Sequence, residues 1–100
     1  MTRGHLYLRA KPGKRDELLR ALDRLAVLAA KRGQPGFLAA EIQLPFEDDE
    51  RLLVSSSWAS REHYERWLGS PAGQEMLREI RRLLAEEPVW RVYQVVDAIN

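Results

Sequence analysis

"SSSWASREHYERWLGSPAGQEM" (residues 55–76) reads as a strand end, a cap, a short helix, a break and a second helix start. Ser60 is a natural N-cap, because its hydroxyl can accept an N–H of the first helical turn. Tyr64, Trp67 and Leu68 then fall at i, i+3 and i+4, which puts them on one stripe of a helix over 61–68. Gly69 interrupts that helix. Ser70-Pro71 restarts it as a cap followed by proline at the first helical position. Met76, Leu77, Ile80, Leu83 and Leu84 carry the inner face on to about residue 86. The stretch holds two of the chain's three tryptophans and one of its two histidines. It is therefore either part of a site or a helix that docks on a sheet with large side chains.

Upstream, "RLLVSSSW" (51–58) is a strand. "FLAAEIQL" (37–44) is another, and the polar turn "PFEDDE" (45–50) between them predicts an antiparallel hairpin. The first strand is "HLYLRA" (5–10), ended by "KPG" (11–13). Residues 14–32 have helical spacing. Leu18, Leu22, Leu25 and Ala29 form the stripe, with Leu19, Ala26 and Leu28 beside it. Asp16 and Glu17 sit in the first turn, where the helix dipole favours acids, and Gly33 suits the position just past the end. Downstream, "VWRVYQVVDAI" (89–99) is a fourth strand, entered through Pro88.

The order β-α-β-β-α-β is that of an α+β, ferredoxin-like fold: a four-stranded antiparallel sheet with two helices on one face. Leu6, Leu8, Ala10, Leu38, Ala40, Ile42 and Leu44 make the aliphatic face. His5, Tyr7, Arg9, Phe37, Ala39, Glu41 and Gln43 make the other. Tyr7 and Phe37 would be wasted on a solvated face, which implies a second cover. The economical cover is another copy of the same sheet, in a homodimer.

At 100 residues a single domain over 1–100 is expected. A net charge of +1 gives neither a nucleic-acid footprint nor a polybasic membrane patch. The N-terminal residues carry no long apolar run, so neither a leader nor a membrane span is expected, and the default location is cytoplasmic. The chain has no cysteine, which removes disulfides, thiolate metal sites and a cysteine nucleophile. Phosphate-loop, Ser-His-Asp and paired-carboxylate patterns are missing. Strands "HLYLRA" and "RLLVSSSW" also lack the consensus of exposed aromatics and basics that RNA-recognition sheets carry on their central strands.

The element order together with "PGKRDELLRAL" (12–22), "GFLAAEI" (36–42) and the string from Ser55 to Met76 resembles the antibiotic-biosynthesis monooxygenase family. The resemblance spans about residues 4 to 98. It implies a dimer whose two sheets face each other in an α/β barrel, with a pocket between helices and sheet in each subunit. Some members oxidise multi-ring phenols to quinones without metal or flavin. Others degrade heme.

Carried onto this sequence, the resemblance implies that Trp67 lines the pocket, with Trp58 and Tyr64 nearby. Plain core packing of the same stripe is the alternative. The quinone-forming branch pairs a polar amide with this tryptophan one turn away. Here His63 stands four residues before Trp67, where a neutral imidazole could take a phenol's proton, so His63 is the candidate catalytic base. The heme-degrading branch needs a histidine ten residues after the tryptophan and an asparagine on the first strand. This chain has Leu77 there, and its only asparagine is Asn100, which argues against heme. His5 on the mixed face is read as a surface or interface residue. "EDDE" (47–50) is a solvated hairpin tip, and Arg78, Arg81 and Arg82 form a basic helix surface.

The functional expectation is a cofactor-independent monooxygenase acting on a flat aromatic, quinol-type small molecule. No cofactor, metal, nucleic acid or membrane is expected as a partner. The alternative is a non-catalytic dimeric module that binds a small ligand.

Overall fold

The computed structural model describes residues 1–31 and 33–99, with the side chains of residues 25–31 left aside. The elements run β1 (Thr2–Arg9), α1 (Arg15–Lys31), β2 (Phe37–Gln43), β3 (Arg51–Trp58), α2 (Arg61–Gly69), α3 (Pro71–Arg81) and β4 (Val89–Gln94). The four strands form one antiparallel sheet in the order β2-β3-β1-β4. This is the ferredoxin-like arrangement expected from the sequence, including the β2–β3 hairpin.

Alternation builds the covered face. Leu6, Leu8 and Ala10 of β1 and its continuation are buried, as is Leu52 of β3. Against them pack Leu18 and Leu22 of α1 and Leu77 and Ile80 of α3, which form the main apolar cluster. Leu25, Ala26, Leu28 and Ala29, placed on or beside the α1 stripe by their spacing, lie outside the described side chains. Leu77, the residue that stands where a heme ligand would be needed, is 5% exposed inside this cluster.

The structure departs from the sequence reading most clearly in three places. The helix expected to run to about 86 ends at Arg81. The chain then turns back beside β1: the Lys11 N–H donates to the Leu83 carbonyl at 2.8 Å and the Ala85 N–H to the Arg9 carbonyl at 2.8 Å. Leu83 and Leu84 are buried all the same, because this return pins them under the sheet end. The fourth strand stops at Gln94 rather than at Ile99. The Val95 N–H still donates to the Met1 carbonyl at 2.8 Å, and beyond it Val96 and Ile99 are 91% and 90% exposed.

The third difference is a bulge in β2. Phe37 pairs with Trp58 and Ala39 with Ser57, so Leu38 is an extra residue without a counterpart on β3. The bulge carries Phe37 to the helix side, although simple alternation placed it on the opposite face. It leaves Leu38 55% exposed, although alternation placed it in the core. Beyond the bulge the alternation holds, with Ile42 half-buried on the covered face.

The "PFEDDE" turn is a structural tip. Asp48 Oδ1 accepts the N–H groups of Glu50 at 2.8 Å and Arg51 at 3.0 Å, and Arg15 caps the Asp48 carbonyl. Those backbone donors, Glu50 first, hold the Asp48 carboxyl below its usual range. Arg78, Arg81 and Arg82 are exposed on α3, two of them paired with Glu79 and Glu87.

Candidate functional site

The caps of α2 and α3 position the site. Ser60, extended at φ −150° and ψ 165°, accepts the His63 N–H at 3.3 Å and starts α2. Ser70 serves both helices. Its hydroxyl donates to the Trp67 carbonyl at 2.6 Å and accepts the Gly73 N–H at 3.1 Å, so α3 restarts without an intervening loop. This break turns the aromatic stripe of α2 onto the upper half of the sheet. There Trp58, Tyr64 and Trp67 form a second cluster, with Phe37, Leu68, Met76 and Trp90 against it.

The aromatic geometry is close. Trp58 stacks on Trp67 with centroids 6.4 Å apart and planes at 25°. Phe37 meets Trp58 edge-on at 5.3 Å, and Tyr64 is tilted against Trp58 at 5.9 Å. Trp58 Nε1 donates to Ser56 Oγ at 2.9 Å.

Beside this cluster lies a cavity of about 370 Å³, in the range of small-molecule sites. Trp58, Tyr64 and Trp67 line it, and so does Phe37, brought to this side by the bulge. The sheet contributes Leu6, Ala40, Ile42, Val54 and Ser56, and the helices Leu22, Leu68 and Met76. Asp23 and Glu41 also border it. By register Glu41 shares the opposite sheet face with Ser55, and its carboxylate accepts from Gln43 at 3.2 Å. That leaves Asp23 of α1 as the acidic side chain on the helix side of the rim.

The sequence reading missed Phe37, Ser56 and Asp23 as cavity residues. Phe37-Leu38 breaks strict alternation and was the only available signal for the first. The other two become neighbours of the aromatics only through tertiary packing.

His63 is not among the cavity-lining residues. Its Nδ1 is 2.7 Å from Ser60 Oγ, and its ring covers Gly36, whose missing Cβ is the space that the ring occupies. The cap that starts α2 thus turns His63 toward the α1–β2 connection rather than toward Trp67. His5 lies on the uncovered sheet face, its Nδ1 3.0 Å from Ser55 Oγ and its ring edge-on to Tyr93 at 5.4 Å. Tyr7 and Tyr93 flank it, 44% and 51% exposed. Among the described residues no group of three or more His, Cys, Asp or Glu side chains could hold a metal ion. No described helix is long and apolar enough to cross a membrane.

Burial pushes the Tyr64 phenol up to about 12 from an ordinary 10.0. Between those two values the folded protein keeps a proton that the unfolded chain has lost. The contribution to stability is therefore complete below about pH 10 and falls as pH rises through 12. Subtracting the tyrosinate absorbance titration of Tyr64→Phe from that of wild type will give a single late ionisation. A difference curve centred at the ordinary tyrosine value would contradict the burial.

The chain can now be set beside known proteins. No curated protein matches it. Many solved structures do. SnoaB, a cofactor-independent oxygenase from Streptomyces nogalater, superposes with a TM-score of 0.84 at 15% identity, covering 98% of this chain and 95% of that one. Rv0793 from Mycobacterium tuberculosis gives a TM-score of 0.82 at 17% identity, covering 99% and 98%. A candidate antibiotic biosynthesis monooxygenase from Chloroflexus aurantiacus J-10-fl gives 0.71 at 25% identity over the full length of both chains. The sequence profile named Antibiotic biosynthesis monooxygenase matches residues 1–88. With its fold, its aromatic-walled cavity and this match over most of its length, the chain belongs to the antibiotic biosynthesis monooxygenase family.

Proposed function

We propose that the protein is a cofactor-independent monooxygenase that oxidises a flat aromatic, quinol-type small molecule bound in the cavity. The observation that carries this reading is the cavity of about 370 Å³ between helices and sheet, closed at one end by Trp58, Trp67, Tyr64 and Phe37. Indole and phenyl faces suit a planar ring system, and a mostly apolar lining strengthens each polar contact inside it.

The chemistry balances without an external reductant. A phenol bearing hydrogen on its para carbon takes up one O₂. One oxygen atom becomes the new quinone carbonyl, the other leaves as water, and the substrate supplies all the electrons. The protein's contribution is to orient the ionised ring and to exclude water from it. His63, pinned over Gly36, is not the base in this scheme.

The test is oxygen uptake with a panel of anthrones and hydroxynaphthalenes. Uptake above the buffer blank is expected with wild type, and His63→Ala is expected to retain it. Wild type that matches the blank across the panel would remove the activity from the proposal. One observation favours a second reading, a non-catalytic ligand-binding module: among the described residues no imidazole or amine lines the cavity, and the Tyr64 phenol stays protonated. Quenching of tryptophan fluorescence by panel members without oxygen uptake would select that reading.

The homodimer is part of the same proposal, in a cytoplasmic setting. The face of the sheet away from the helices leaves Tyr7, Tyr93 and Val89 exposed on adjoining strands, and a second copy is the simplest cover. Light scattering is expected to give twice the chain mass of 11.6 kDa. A mass of one chain at micromolar concentration would sink the dimer.

A further inference from the structure

We propose that Ser56 orients the ligand, by donating its hydroxyl proton to an oxygen carried on the ligand's ring. The inference rests on the reading of the cavity as a ligand site.

The cavity owes its depth to one row across the sheet. Ala40, Ser56 and Gly4 are cross-strand partners on β2, β3 and β1. The adjoining row on one side is Ile42, Val54, Leu6 and Trp90. On the other side it begins with Phe37 and Trp58. A row of small side chains between two rows of large ones leaves a trench. Tyr64 fills its far end: its Cζ lies 2.6 Å from where a Cβ on Gly4 would be, so only glycine fits beneath the ring. Ala40 and Ser56 floor the part that stays open.

Of the two open floor residues only Ser56 is polar, and its neighbours in the serine triplet are spent elsewhere. On the opposite sheet face Ser55 meets His5 at 3.0 Å, and Ser57 accepts from Arg3 at 3.4 Å. Ser56 Oγ accepts the Trp58 indole N–H at 2.9 Å, which uses one lone pair and fixes the hydroxyl in place. Among the described residues no acceptor is paired with the Ser56 proton. A hydroxyl that accepts one hydrogen bond is a better donor for the next. Ser56 is half-buried at the cavity floor, so its hydroxyl proton is within reach of an oxygen on a bound ligand. The Trp58 N–H is already consumed and does not compete. The chemistry this selects is a planar aromatic with a ring carbonyl or phenolate oxygen, in preference to the bare hydrocarbon.

The test compares 1,4-naphthoquinone with naphthalene by quenching of tryptophan fluorescence, in wild type and in Ser56→Ala. Removing the hydroxyl is expected to weaken quinone binding by about tenfold and to leave naphthalene unchanged, the usual effect of one hydrogen bond. Ser56→Cys, whose thiol is a weak donor of similar size, is expected to fall between the two. The ratio of the two affinities is insensitive to the fraction of folded protein, so a mildly destabilised variant still gives a result. Equal losses for both probes, or an unchanged quinone affinity in Ser56→Ala, would overturn the role of Ser56 while leaving the cavity a ligand site. Wild type that binds neither probe would overturn the site reading and this inference with it.

Discussion

Trp67→Ala will cost about 3–5 kcal/mol of folding stability, the usual range for truncating a large buried aromatic. Trp67 is 9% exposed, stacks on Trp58 and joins the upper aromatic cluster to Leu68 and Met76. A domain of this size has roughly 5–15 kcal/mol in all, so the variant will sit near the threshold of folding. Trp67 also belongs to the cavity wall, and a second effect is separable from the first. Trp67→Leu restores most of the apolar volume but offers no flat face. It will recover a large part of the urea midpoint and little of the affinity for a planar probe. If Trp67→Leu matches wild type in probe binding, the indole is core packing and not part of the ligand wall.

Gly36→Ala combines two independent penalties. Gly36 has φ +78°, in the left-handed region that costs an L-residue about 1–2 kcal/mol. Its added Cβ would also overlap the His63 ring, an overpacking worth about 1–3 kcal/mol. His63→Gly, which takes away the side-chain Cβ together with the ring, removes the second penalty and not the first. In a double-mutant cycle, Gly36→Ala will therefore cost about 2–5 kcal/mol in wild type and about 1–2 kcal/mol in the His63→Gly background. The coupling between the sites is the overlap itself. Additive losses measured by urea denaturation would mean that the ring is not where the cap of α2 holds it.

These two experiments bear on the residues that drew attention in the sequence, and they show what local signals can carry. The caps at Ser60 and Ser70, the break at Gly69 and the Tyr64–Trp67–Leu68 stripe each depend on neighbours a few residues away. They are legible one residue at a time, and the structure follows them closely. The element order was enough for the sheet topology.

The features that escaped depend on register. Phe37-Leu38 breaks alternation locally, but that break does not say which of the two lacks a counterpart on β3, so the side to which Phe37 points could not be read. His63 has helical spacing relative to Trp67, yet a residue in the first turn is governed by the cap, and Ser60 holds it elsewhere. The trench is the clearest case. Positions 4, 40 and 56 are ordinary one by one, and small side chains at all three matter only once pairing lines them up.

The position of that trench within the sheet has an evolutionary consequence. Its outermost floor residue, Ala40, sits on β2, an edge strand bonded to one neighbour only. An edge strand yields to a change of side chain more readily than a strand held on both sides. Growth of residue 40 to valine or leucine would shorten the trench from its margin, leaving the aromatic wall and the Ser56 hydroxyl untouched. Gly4, on the doubly held β1 beneath the Tyr64 ring, has no such freedom. A lineage built on this chain could therefore change the length of ligand it accepts through one peripheral codon, while the grip on the ring itself is inherited intact.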